Sequence, residues 1–155
     1  MFDQLFDYEI PFLHPIAVHF PLGLLLIAGI VACIWMFSGS RMWRHTTLVL
    51  VFFGATGSVF AFLTGEALEE DAEGVPIVDQ FVELHEKLGR LTMIVALVSL
   101  VALGYHVYKR RLVTDEANES KWPRFAIGLL IVVSAILVAV TGHIGGTMVW
   151  GVPVP

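Results

Sequence analysis

His14-Pro15-Ile16-Ala17-Val18-His19-Phe20-Pro21-Leu22-Gly23 opens a run with no Asp, Glu, Lys or Arg between Ile16 and Ser40. A helix crosses a hydrocarbon core of roughly 30 Å with about 20 apolar residues, so this run is long enough to span a membrane. Its mouth carries His14 and His19 beside Pro15 and Pro21. An imidazole in an apolar span is costly unless something pairs with it. The rest of the chain offers partners: His85 starts the third apolar run, and His143 stands near the end of the fourth.

Working outward, the apolar runs predict spans over about 15–38, 46–65, 84–108 and 124–146 within a single domain, 1–155. Pro15 and Pro21 fall at or near the first turn, where proline is tolerated. The second span contains Gly54-Ala55-Thr56-Gly57-Ser58, small residues that let helices approach closely. Between the second and third spans, residues 65–86 are strongly acidic and are interrupted by Gly74 and Pro76, which predicts a loop. Residues 1–13, with Asp3, Asp7 and Glu9 among aromatics, read as a short interfacial segment. The acidic leader and the length of the first run argue against a signal peptide. The fold expected is all-α: an integral membrane up-and-down four-helix bundle of two tandem hairpins.

The chain is 57% hydrophobic and 15% charged, against roughly 25% charged in soluble domains. Loops 38–45 and 109–124 hold seven of the nine Lys and Arg residues. By the positive-inside rule those loops face the cytoplasm, with both termini outside a bacterial inner membrane. Topology accounts for these cations, so no nucleic-acid role is expected. Cys33 is the single cysteine and reads as a packing residue. That excludes a disulfide framework, covalent CxxCH haem and cysteine-based zinc or iron–sulfur sites.

An internal repeat organises the chemistry. His19-Phe20-Pro21-Leu22-Gly23 and His85-Glu86-Lys87-Leu88-Gly89 both read H-x-x-L-G, and Thr64-Gly65-Glu66 parallels Thr141-Gly142-His143. Parallel hairpins related by an axis along the membrane normal would set His19 and His85 on one diagonal, with Glu66 and His143 on the other. In each half the glycine follows the histidine by four residues and shares its helical face, which leaves room for a flat group. His19 and His85 are therefore the expected axial ligands of a haem iron, with Gly23 and Gly89 beside them. His143, set among glycines, is an alternative ligand or a group for a propionate or a quinone carbonyl. His14, biased to extended geometry by Pro15, is a propionate or second-site residue, or faces solvent. His45 and His106 are expected at the inner interface.

At His14-Pro15…Val18-His19-Phe20-Pro21-Leu22-Gly23, His85 and Thr141-Gly142-His143-Ile144-Gly145-Gly146…Met148-Val149…Gly151-Val152, the chain resembles a family of small bacterial membrane proteins, domain of unknown function two-two-three-one. The resemblance covers nearly the whole chain and implies four spans. A looser similarity to membrane di-haem cytochromes implies electron transfer and the option of two cofactors. Trp150 stands where such tails are expected to carry tyrosine.

The function expected is thus that of a b-type cytochrome-like membrane protein holding one haem b, or two. It would pass electrons between quinone and a periplasmic partner such as a c-type cytochrome, or act as a subunit of a respiratory complex. The alternative is a non-haem Zn, Cu or Fe site built from His19, Glu66, His85 and His143. A structural subunit without cofactor is the third reading. The apolar neighbours Phe20, Leu22, Leu84, Leu88 and Ile144 favour haem, and Glu66 favours a bare ion.

Overall fold

The computed structural model describes residues 13–72, 79–111 and 121–150, all of them helical apart from short breaks. A short helix α1 (His14–Ala17) leads into α2 (His19–Ser38), followed by α3 (Arg41–Ala72), α4 (Asp79–Arg111) and α5 (Trp122–Trp150). Four segments are long and apolar enough to cross a membrane: His14–Ser38, Arg41–Ala67, Phe81–Arg110 and Trp122–Met148. Helix α2 packs on α3 and α5, and α4 packs on α3 and α5. The helices therefore form a square of antiparallel neighbours, with α2 and α4 on one diagonal and α3 and α5 on the other.

The side-chain distribution is that of a bundle in lipid. Phe37, Val101 and Ile30 are 78%, 70% and 65% exposed, whereas Thr47, Ser99 and Ser134 are fully buried. Apolar side chains can face hydrocarbon freely, whereas a hydroxyl there needs a hydrogen-bond partner; these three are buried inside the bundle, and the exposed Thr56 donates to the Phe52 carbonyl of its own helix. Each of these three bonds back to a main-chain carbonyl one turn earlier, and Ser99 meets Ser134 across the α4–α5 contact at 3.2 Å. The centre is filled by Trp35, Leu103, Ile131 and Val51, with Ala28 and Ala32 letting the helices close around them.

Local chemistry sets the breaks. Pro21 has no N–H and its ring crowds the carbonyl of Ala17, so the helix is interrupted at Val18. The turn between α2 and α3 is shorter than the predicted loop 38–45. Gly39 adopts φ +65°, closes α2 through a 2.8 Å bond to the Trp35 carbonyl, and α3 starts at Arg41.

Two expectations need correction. The acidic stretch 65–86 is not one loop: α3 runs on to Ala72 and α4 begins at Asp79, leaving only 73–78 outside the described residues. Its glutamates favour helix, and the i,i+4 ion pairs Lys87–Glu83 and Arg90–Glu86 support the start of α4. Likewise Gly145-Gly146 does not end the fourth helix, which continues to Trp150. Glycine is commoner in membrane helices than in soluble ones, and there it serves close approach. The leader 1–12 and the tail 151–155 lie outside the described residues.

Candidate functional site

The half-buried histidines at the mouth of the bundle meet as a pair. The rings of His14 and His85 have centroids 6.2 Å apart and planes at 90°. His14 sits at the start of α1 and leans on the end of α3. Its Nδ1 lies 2.9 Å from the Ala61 carbonyl and 3.2 Å from Thr64 Oγ1. His85 sits early in α4 and leans on α5, with Nδ1 3.1 Å from the Thr141 carbonyl. A carbonyl only accepts, so each Nδ1 carries the proton and donates it, and each Nε2 keeps its lone pair.

The two settings are built alike. Four residues past each accepting carbonyl stands a glycine: Gly65 after Ala61, and Gly145 after Thr141. A Cβ added at Gly65 would lie 3.0 Å from His14 Cε1, and one at Gly145 would lie 2.8 Å from His85 Cε1. Each imidazole therefore rests on bare backbone, held by the carbonyl one turn below. Beneath His85 a hydroxyl pair continues the contact: Thr92 Oγ1 and Thr141 Oγ1 are 3.1 Å apart, and Thr141 Oγ1 donates to the Leu137 carbonyl at 2.8 Å.

The contacts between the first and third spans do not follow the H-x-x-L-G register. His14 and His85 touch across the α2–α4 diagonal and lie 71 residues apart in sequence; Trp35 and His106 touch across the same diagonal at the other end and are also 71 apart, with centroids at 5.7 Å. The equivalent of His85 is thus His14, not His19.

The other expected site residues fall elsewhere. His19 is exposed, and its Nδ1 donates to the carbonyl of Pro15 on its own helix at 2.5 Å; the ring that meets His85 is that of His14. Gly23 is exposed, and a Cβ there would meet nothing within 4 Å; at Gly89 the nearest atom would be the Thr141 methyl at 4.0 Å. His143 and Glu66 are both exposed. The expected layer of His19, Glu66, His85 and His143 is not assembled: among the described residues no three His, Cys, Asp or Glu side chains gather as a metal site. The reason is helical phase. The backbone stays right-handed helical through Val18, so residues five apart point roughly 140° from one another, and His14 turns inward while His19 turns out. His45 Nδ1 lies 2.7 Å from the carbonyl of Arg41 on its own helix.

Gly65 and Gly145 are the residues that sequence reading missed as supports for the rings. Their signal was present, a glycine four residues after a small residue near the end of each second hairpin helix, yet H-x-x-L-G drew attention to the other glycines.

Residues 10–154 match the family described as predicted membrane protein (DUF2231). The chain belongs to that family. No curated protein and no solved structure matches it. The DUF2231 chain is accordingly a membrane protein, and its paired imidazoles are the chemistry from which a function has to be argued.

Proposed function

We propose that this DUF2231 protein is a membrane electron carrier that holds a b-type haem between His14 and His85. The observation that carries the reading is the spacing of the two rings. Two imidazoles bound to one metal at about 2.0 Å each bring their centroids to roughly 6.3 Å, and the centroids of His14 and His85 are 6.2 Å apart. Both rings have Nδ1 fixed on a main-chain carbonyl, the outer bond that orients a ligating histidine and leaves Nε2 for the metal.

The donor count favours haem over a bare ion. Zinc and similar ions take three or four protein ligands, whereas two stand together here and no third joins them among the described residues. A porphyrin brings its own equatorial nitrogens, so two imidazoles complete that set. Haem so ligated supplies one-electron transfer, and bis-imidazole ligation leaves no open position. The chain's own part is to orient: Gly65 and Gly145 let the rings reach the backbone. By the positive-inside rule the basic end faces the cytoplasm, which puts the histidine end on the outside of a bacterial inner membrane, in reach of quinone and of a periplasmic carrier such as a c-type cytochrome.

The test is spectroscopic. Protein from haem-replete expression, purified in mild detergent, should give a reduced b-type α-band and a positive pyridine haemochrome. His14→Ala and His85→Ala should each abolish it, and His19→Ala should keep it. A colourless wild type overturns the reading, and so does a spectrum that survives both substitutions.

A further inference from the structure

The two imidazole settings agree in three respects and differ in a fourth. His14 and His85 supply the rings, Ala61 and Thr141 the accepting carbonyls, and Gly65 and Gly145 the bare backbone four residues on. In that register the residue before the glycine is Thr64 in one setting and Ile144 in the other. Thr64 brings its Oγ1 to 3.2 Å from Nδ1 of His14; an isoleucine side chain has no polar atom to bring. The carbonyl bonds differ in the same sense, 2.9 Å at His14 and 3.1 Å at His85.

Thr64 is held for this contact. It is 2% exposed, and its Oγ1 lies 3.1 Å from the Phe60 carbonyl and 3.0 Å from the Ala61 carbonyl of its own helix. A hydroxyl has one hydrogen and carbonyls only accept, so that hydrogen goes to one of them. What Thr64 turns to the ring is therefore a lone pair. The Nδ1–H of His14 is shared between two acceptors, the Ala61 carbonyl and the Thr64 oxygen. Acceptors on the outer nitrogen fix a ligating ring and push electron density toward its other nitrogen.

We propose that Thr64 is a positioning residue that makes His14 and His85 unequal ligands, with His14 the stronger donor, and that its hydroxyl tunes the potential of the pair. The tuning rests on the haem reading; the hold on the ring does not. A stronger nitrogen donor favours ferric over ferrous iron, so the hydroxyl keeps the midpoint below the value that two equal imidazoles would give.

The experiment compares full-length wild type, Thr64→Val and Thr64→Ser in detergent. Valine keeps the shape and removes the oxygen; serine keeps the oxygen. In haem-loaded protein, Thr64→Val should raise the midpoint in a potentiometric titration of the α-band. It should also release haem to excess apomyoglobin about tenfold faster, the low end of the loss for an outer partner, because the Ala61 carbonyl stays. Thr64→Ser should restore both. Ser58→Ala removes another buried hydroxyl of α3, one bonded to the Ala55 carbonyl, and should leave the midpoint unchanged. In haem-free protein with nitrogen-labelled histidine, the Nδ1–H proton of His14 should move upfield in Thr64→Val as one acceptor is lost. An unmoved resonance overturns the hold. An unmoved midpoint overturns the tuning, and so does an equal shift in Ser58→Ala or a failure of Thr64→Ser to restore it. A colourless wild type overturns the haem reading and the tuning with it, while the proton resonance still decides the hold.

Discussion

Gly145→Ala tests the packing on which the imidazole pair depends. The new methyl would sit 2.8 Å from Cε1 of His85, where carbons rest comfortably at about 3.5–4.0 Å. The ring must retreat by about 0.7–1.2 Å, the difference between those distances. Its Nδ1 is already 3.1 Å from the Thr141 carbonyl, close to the long limit for N–H···O, so that bond breaks. Overpacking costs about 1–3 kcal/mol and the lost bond about 1 kcal/mol. Alanine's better helix propensity returns about 0.5–1 kcal/mol. Gly146→Ala is the control: the propensity gain is the same, but nothing lies within 4 Å of its added Cβ. Thermal unfolding followed by far-UV circular dichroism in detergent should place Gly145→Ala roughly 4–16 °C below Gly146→Ala, at about 2–4 °C per kcal/mol. Placing His85→Ala in the Gly145→Ala background should remove most of that gap, because the obstructing ring is gone. Coincident melting of Gly145→Ala and Gly146→Ala would refute the contact and, with it, the fixed orientation of His85.

Gly39→Ala forces a side chain into a left-handed conformation and into the Arg124 guanidinium; it should cost at least about 1–2 kcal/mol, and an unchanged Tm would contradict the turn. Ser99→Ala and Ser134→Ala remove partners of a fully buried 3.2 Å pair. A double-mutant cycle on thermal stability should return a coupling of about 0.6 kcal/mol, and zero coupling would mean that each hydroxyl is satisfied by its own helix alone.

The spans were legible because hydropathy over a membrane's width is a sum across many residues, and no single misreading changes it. The diagonal placement of the first and third spans was legible too, since short turns force neighbours to be antiparallel. The identity of the facing histidine was not. His14 and His19 differ by 500° of helical rotation, roughly 140° apart in direction, so choosing between them needs the phase of a segment that Pro21 interrupts. The motif H-x-x-L-G gave His19 the better case by likeness to His85-Glu86-Lys87-Leu88-Gly89, yet a matched string does not carry that phase. The helix ends were hidden for a related reason: the charge of Glu66 to Ala72 and the glycines of Gly145 to Trp150 mask stretches that each continue a helix already nucleated by packing.

The pseudo-symmetry also bears on how many haems the proposal allows. The α2–α4 diagonal repeats its contact at a spacing of 71 residues, with His14 and His85 at one end and Trp35 and His106 at the other. The second contact has the place of the first but not its chemistry. An indole has an N–H to donate and no nitrogen lone pair to give a metal, and Trp35 fills its position with only 1% exposure. One end of the bundle thus carries an imidazole pair and the other a packing pair, so the proposed ligation gives one haem to each chain, at the end away from the basic loops.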